Sequence, residues 1–79
     1  MGGIPIPKRG YITALSKIGI ESGRILFKDE LEGIFFTWDS LHGELEVFNK
    51  RGIHLGTVNA ETGLWTGKAV KGRRISKQN

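Results

Sequence analysis

The sequence predicts a mainly β protein, a highly twisted antiparallel sheet of hairpins with a short N-terminal helix. Three observations carry this. From Arg24 onward, β-branched, aromatic and other apolar residues come in short runs. Each run is followed by a cluster of Asp, Asn, Ser or Gly suited to a tight turn. Twelve glycines in 79 residues supply the sharp turns and strong twist that sequential hairpins need.

The elements follow in order. Residues 2–10, with Pro5 and Pro7, form an irregular lead-in. Residues 11–18 place Ile12, Leu15 and Ile18 at helical spacing and stop at Gly19, which predicts a short helix. Segments 24–28 (RILFK) and 34–38 (IFFTW) are strands around the acidic turn 29–33. Strand 44–48 follows a bend at 40–43. Asn49-Lys50-Arg51-Gly52 then turns into strand 53–58, and the turn 59–63 leads into 64–66. In these last two turns Gly sits where a bulged hairpin loop needs a positive φ. No internal repeat is visible. The whole, 1–79, reads as one small domain: lead-in and helix over 1–23, twisted sheet and basic tail over 24–79.

Composition narrows the function. The chain has no cysteine, hence no disulfide and no thiolate metal site. Its longest apolar stretch, Ile34-Phe35-Phe36, is far too short to span a bilayer, and no signal-peptide pattern opens it. The start, Met1-Gly2-Gly3, fits a piece cut from something longer. Charge is unevenly placed: +3 over residues 1–20, −4 over 21–61 and +5 over 62–79. Two basic ends around an acidic middle suit a polyanion substrate, whose phosphates need neutralising while the chemistry needs acids and bases.

That chemistry points to residues 39–46 (DSLHGELE). In an extended strand, residues two apart share a face. His42, Glu44, Glu46 and Phe48 therefore line one exposed surface, with Leu45 and Val47 on the other and Asp39 just beyond the bend. Histidine both takes and gives a proton near neutrality, and adjacent carboxylates favour its charged form. His42 is thus a candidate acid and Glu46 a candidate base, the pair RNA cleavage needs to take the 2′-hydroxyl proton and protonate the departing 5′-oxygen. Glu44 lies between them as a supporting group or a solvated strand acid. Asp39 orients the imidazole or caps the bend. A divalent ion held by Asp, His and Glu is a further reading, although the run matches no defined metal spacing. His54 reads as structural. Phe48, exposed, is a platform for base stacking; Trp38 and Trp65 are core or stacking residues. In the tail, Lys68, Lys71, Arg73 and Arg74 are candidates to bind substrate phosphate, arginine doing so bidentately.

The run 38–46 (WDSLHGELE), then His54-Leu55-Gly56, Thr62-Gly63 and the tail residues Arg73-Arg74-Ile75, resembles the C-terminal ribonuclease domain of the ribosome-inactivating E-group colicins and related bacterial toxins. The likeness covers roughly residues 34–77. It implies a twisted antiparallel sheet with a short N-terminal helix, and metal-independent cleavage of 16S rRNA at the decoding centre leaving a 2′,3′-cyclic phosphate, with no cofactor. By matching positions, Glu46 is the implied base, His42 the acid, Asp39 and Glu44 supporting carboxylates, and Arg73 the transition-state arginine. The chain departs from the family in having Gly72 for a lysine, Phe48 for a tyrosine, and a different lead-in. The implied partners are 16S rRNA in the 30S or 70S ribosome and an acidic cognate immunity protein. The implied setting is a larger toxin delivered from the producing bacterium, with this part, monomeric when free and with no membrane segment, acting in the target-cell cytoplasm. A non-catalytic RNA- or ribosome-binding β module is the alternative.

Overall fold

In the computed structural model of the chain, residues 3–76 are described; Met1, Gly2 and the tail residue Lys77 lie outside them. Six strands, β1 (Ser16–Glu21), β2 (Arg24–Asp29), β3 (Ile34–Asp39), β4 (Glu44–Phe48), β5 (His54–Asn59) and β6 (Trp65–Lys68), form one sheet. They lie in sequence order and every neighbour is antiparallel. The expected mainly β meander is what forms.

The expected helix over 11–18 shrinks to one 3₁₀ turn, Tyr11–Ala14, and the chain is already in β1 at Ser16. The reason is tertiary: Ser16 and Lys17 pair with Lys28 and Phe27 on β2 and draw the chain into the sheet. The Tyr11 and Ile12 N–H groups donate to the Glu61 and Ala60 carbonyls, at 2.7 and 2.8 Å, which fastens this segment to the β5–β6 turn. Ile18 and Ile20 then follow strand preference, as β-branched residues do when a sheet edge is available.

Four of the hairpin turns share one device. Asp29, Asp39, Asn49 and Asn59 each stand at or just beyond a strand end, ten residues apart. The side-chain oxygen of each accepts two backbone N–H groups of its own turn. Short Asx side chains do this because they reach backbone donors two or three residues on. A glycine with positive φ closes each of these turns. The sequence has no repeat, but its turn chemistry recurs.

The sheet has two unlike faces. Phe27, Phe36, Trp38, Leu45, Val47 and Val58 form the main core, covered by Ile12 and Ala60 and flanked by Ile6 and Tyr11. Phe36, 2 % exposed, makes a T-shaped contact with the Tyr11 ring, centroids 5.9 Å apart. Burying such a ring stabilises the fold by about 1.5–3 kcal/mol. The opposite face carries a small second cluster, Leu26, Phe35, Phe48 and Ile75, and beside it the polar residues of the site.

Ile75 reaches that face because the tail folds back. Residues 73–75 run antiparallel to 52–54 through His54 N–H to Arg73 O (3.2 Å), Ile75 N–H to Gly52 O (2.9 Å) and the Ile53–Arg74 bridge. The Ser76 N–H then donates to Glu21 on β1, at 3.1 Å. Gly52 permits this approach: a Cβ there would collide with the Ile75 carbonyl, and its φ is +84°. The tail is therefore a strap laid over one end of the polar face.

Candidate active site

Cross-strand register builds the polar face in rows. Glu46 at the centre of β4 pairs with Thr37 on β3 and Thr57 on β5, and one row on, Glu44 pairs with Asp39 and Asn59. The alternation from His42 through Glu44 and Glu46 to Phe48 puts all four on the wall of one open cleft of about 470 Å³. Asp39, Arg24, Arg73 and Arg74 join them there.

At the mouth, the Asp39 turn presents His42. Asp39 is 3 % exposed. Its Oδ1 accepts the Leu41 and His42 N–H groups, at 3.0 and 3.2 Å, and its Oδ2 lies 2.8 Å from His42 Nδ1. The His42 side chain is 64 % exposed. With Nδ1 donating to Asp39, Nε2 is the nitrogen turned outward. The hydrogen bond from His42 to Asp39 and then the Asp39 charge raise the His42 pKa above the ordinary 6.5, against a small desolvation, with Glu44 and Glu46 adding to the rise. For Asp39, burial pushes the pKa up. The His42 ring and backbone hydrogen bonds, the Arg24 charge and the Leu41 N–H outweigh it, and the net value falls below 3.8. The pair thus favours imidazolium against carboxylate.

At the cleft floor, Glu46 is buried, its side chain 4 % exposed. A sequence reading of strand parity put it on an exposed surface; the face is as expected, but the strap and flanking side chains roof it. Three groups surround its carboxylate. Oε1 receives His54 Nε2 at 2.6 Å and Arg73 Nη1 at 3.1 Å. Oε2 lies 3.9 Å from Arg24 Nη1. A buried carboxylate needs such partners, since an unpaired one costs several kcal/mol in desolvation, on the order of the penalty for any buried ion.

Glu44 is half-buried and accepts the Thr66 hydroxyl at 2.8 Å, and Thr66 in turn lies 2.9 Å from the Thr57 hydroxyl. Asp39, His42 and Glu44 offer ligand atoms within 4.8 Å of one another. Asp39 Oδ2 and His42 Nδ1 are already joined by a 2.8 Å hydrogen bond, so a cation taking both of those atoms would have to displace its proton.

One expectation needs correction, and one residue gains a contact the sequence did not suggest. Phe48 is 3 % exposed, under Ile75 and beside Leu26 and Phe35; it floors the cleft and offers no open stacking surface. His54, expected to be structural, contacts Glu46 directly. A β-bulge between Val47 and Phe48 shifts the register so that His54 pairs with Phe48, which alternation counted along β5 alone does not reveal. Of the tail cations, Arg73 and Arg74 line the cleft, whereas Lys68 and Lys71 are exposed outside it. Arg24 had drawn no attention in the sequence. Trp38 is core, and Trp65 is 61 % exposed on β6.

A twisted meander that sets an imidazolium–carboxylate pair opposite an arginine-held carboxylate in one basic-rimmed cleft has the parts for acid–base chemistry on a phosphate ester. The Cytotoxic family model matches residues 7–76, and the chain belongs to that family, the C-terminal cytotoxic ribonuclease domain of the E-group colicins. It is a colicin-type toxin nuclease. Comparison with curated proteins gives no match.

Proposed function

We propose that this protein is a metal-independent endoribonuclease that cleaves 16S rRNA at the ribosomal decoding centre and so halts translation. The observation that carries the proposal is the placing of His42 and Glu46 on the wall of one cleft, with Arg73 on the carboxylate. Glu46 takes the proton of a ribose 2′-hydroxyl, and the freed oxygen attacks the adjacent phosphorus. The 5′-oxygen leaves with a proton from His42 Nε2, giving a 2′,3′-cyclic phosphate and a 5′-hydroxyl. The Asp39 hydrogen bond keeps His42 protonated for this role. Arg73 and Arg24 carry charge to where the pentavalent phosphate becomes more negative, the kind of electrostatic stabilisation that dominates such steps. Glu44 supports the His42 side, and Arg74 holds flanking phosphate. The step exchanges one phosphorus–oxygen bond for another with two proton transfers and no change of oxidation state, so it calls for no redox cofactor.

Primer extension across 16S rRNA from ribosomes treated with the purified protein tests this. One stop at the decoding centre, unchanged in EDTA and lost in Glu46→Gln, is the expected result. Loss of cleavage in EDTA would mean a metal-dependent nuclease, and binding without any stop would mean a ribosome-binding module. Arg73→Ala should cost far more activity than Lys71→Ala, since a guanidinium at the phosphate acts on the transition state while a peripheral lysine adds attraction that salt screens.

Domains of this family are neutralised by immunity proteins. For this chain the partner would be acidic, drawn to the basic tail and bound beside the cleft, keeping the ribosome away by bulk and charge. A His42 resonance that still titrates in the inhibited complex is the expected outcome; one that no longer titrates would show occlusion. The protein would act in the cytoplasm of a target cell after delivery within a larger toxin.

A further inference from the structure

The geometry points to His54 as a positioning residue that, from a proton-fixed neutral state, aims the Glu46 carboxylate and leaves Oε2 as its proton-accepting atom. The inference rests on the acid–base reading of Glu46 above.

The argument begins at the ring's far side. The Val70 backbone N–H donates to His54 Nδ1 at 2.9 Å. A nitrogen that accepts a hydrogen bond carries no proton, so the proton of the neutral ring is on Nε2. Nε2 then donates to Glu46 Oε1 at 2.6 Å. The alternative states fail at this site. The Nδ1–H tautomer would set two N–H groups against each other at Val70 and two lone pairs against each other at Glu46. The imidazolium would keep the first of those clashes. With the His54 side chain 0 % exposed, no water relieves either, and an unmet buried donor costs about 1–3 kcal/mol. The Phe48 ring, edge-on at 5.3 Å, holds the imidazole plane.

A neutral donor directs a carboxylate without cancelling its charge. His54 and Arg73 both occupy Oε1, and among the described residues Oε2 accepts no hydrogen bond, having only Arg24 at 3.9 Å. The oxygen with free lone pairs is therefore Oε2. The same strap supplies both constraints, Val70 through the imidazole and Arg73 directly, three residues apart.

Two half-mimics separate aiming from simple strap docking. In His54→Gln the amide nitrogen reaches towards Glu46 and the acceptor for Val70 is lost. In His54→Asn the oxygen replaces Nδ1 for Val70 and the donor to Glu46 is lost. Asn should keep the Val70 amide protected from hydrogen exchange yet lose roughly 10–100-fold in rRNA cleavage, the range for partners that orient a functional group. Its acid limb in kcat/KM should move to higher pH, because a hydrogen bond to the charged form of the base has gone. Gln should retain more activity and an acid limb nearer the parent's. The reverse order, or equal losses with unmoved pH limbs, would overturn the inference and leave His54 a docking residue. On the unsubstituted protein, long-range ¹⁵N–¹H spectra should show Nδ1 unprotonated and Nε2–H. An Nδ1–H tautomer or an imidazolium at neutral pH would overturn it even where a variant fails to fold. Failure of the parent to cut rRNA would instead remove the ribonuclease reading, with the tautomer unaffected.

Discussion

The turn over 29–33 and the turn over 39–43 share a backbone. Each opens on an aspartate whose Oδ1 accepts the N–H groups two and three residues on. Each ends on a glycine N–H bonded to that aspartate's carbonyl at 2.8 Å, and each holds out a leucine, Leu31 at 96 % and Leu41 at 77 % exposure. They differ in three ways. The position before the glycine is Glu32 in one and His42 in the other. Asp29 is half-buried while Asp39 is buried. The lead-in braces only the second among the described residues, through Ile4 N–H to Ser40 O at 2.7 Å and Ile4 against Gly43. A routine turn thus comes to hold an imidazole when its spare carboxylate oxygen meets one. The candidate acid is grafted onto a device the fold already uses four times.

The sharpest way to break the comparison is to remove the side chain that precedes the glycine in each turn. His42→Ala should reduce rRNA cleavage by about 10²–10⁴-fold, the usual share of a general acid. Glu32→Ala should leave cleavage where it was. A His42→Ala protein that is folded by circular dichroism and cuts as the parent does would show that the histidine is only a turn residue.

Asp39→Asn tests the spare oxygen. Asn49 and Asn59 hold their own turns with a single amide oxygen, so the fold should survive. The His42 pKa should fall, since its largest support is the Asp39 hydrogen bond, and the alkaline limb of the pH–rate profile should move to lower pH. Asp29→Asn should leave that profile alone. An alkaline limb unmoved by Asp39→Asn would detach the pair from the chemistry.

The same pair predicts a stability window. His42, with its pKa raised on folding, contributes fully below 6.5 and loses that contribution as pH rises through its folded value. Asp39, with its pKa lowered, contributes fully above 3.8 and loses it as pH falls through its folded value. Denaturant curves of the parent and His42→Ala should therefore differ most between pH 3.8 and 6.5 and converge on either side. A gap that is constant with pH would mean the contact is not ionic.

Smaller effects remain for the unadorned turn. Asp29→Ala removes two side-chain hydrogen bonds at an exposed site and should cost about 0.5–1.5 kcal/mol by urea unfolding. Leu31→Ser should stay within about 0.5 kcal/mol, as exposed substitutions do. A larger loss at Leu31 would mean that this turn packs against something unseen.

Local pattern revealed much of this. Alternation from His42 onward gave the face of Glu44, Glu46 and Phe48, and the Asp, Asn and Gly clusters gave every hairpin turn from 29 onward. Features that depend on contacts between distant segments were not legible. Ile12, Leu15 and Ile18 have helical spacing, yet pairing of Ser16 and Lys17 with Lys28 and Phe27 on β2 ends the turn. Phe48 looks exposed until Ile75 arrives from 27 residues away. His54 reaches Glu46 only through a bulge. Arg24 sits in a run that reads as plain strand, and nothing local marks it as a neighbour of Glu46.

The strap also sets a clock. Residues 70–76 are almost the last of the described chain to emerge in synthesis or to thread through any pore that takes the amino end first. The sheet's own strands end at Lys68, so its hairpins can pair before the strap arrives. Until it docks, His54 lacks the Val70 N–H, Glu46 lacks Arg73, and the cleft has no roof. On the proposed reading, folding of the sheet and completion of the site would then be separate events, the second following the first. Such a nuclease would gain its full site only once the tail docks, and whatever holds the tail away would prolong that interval.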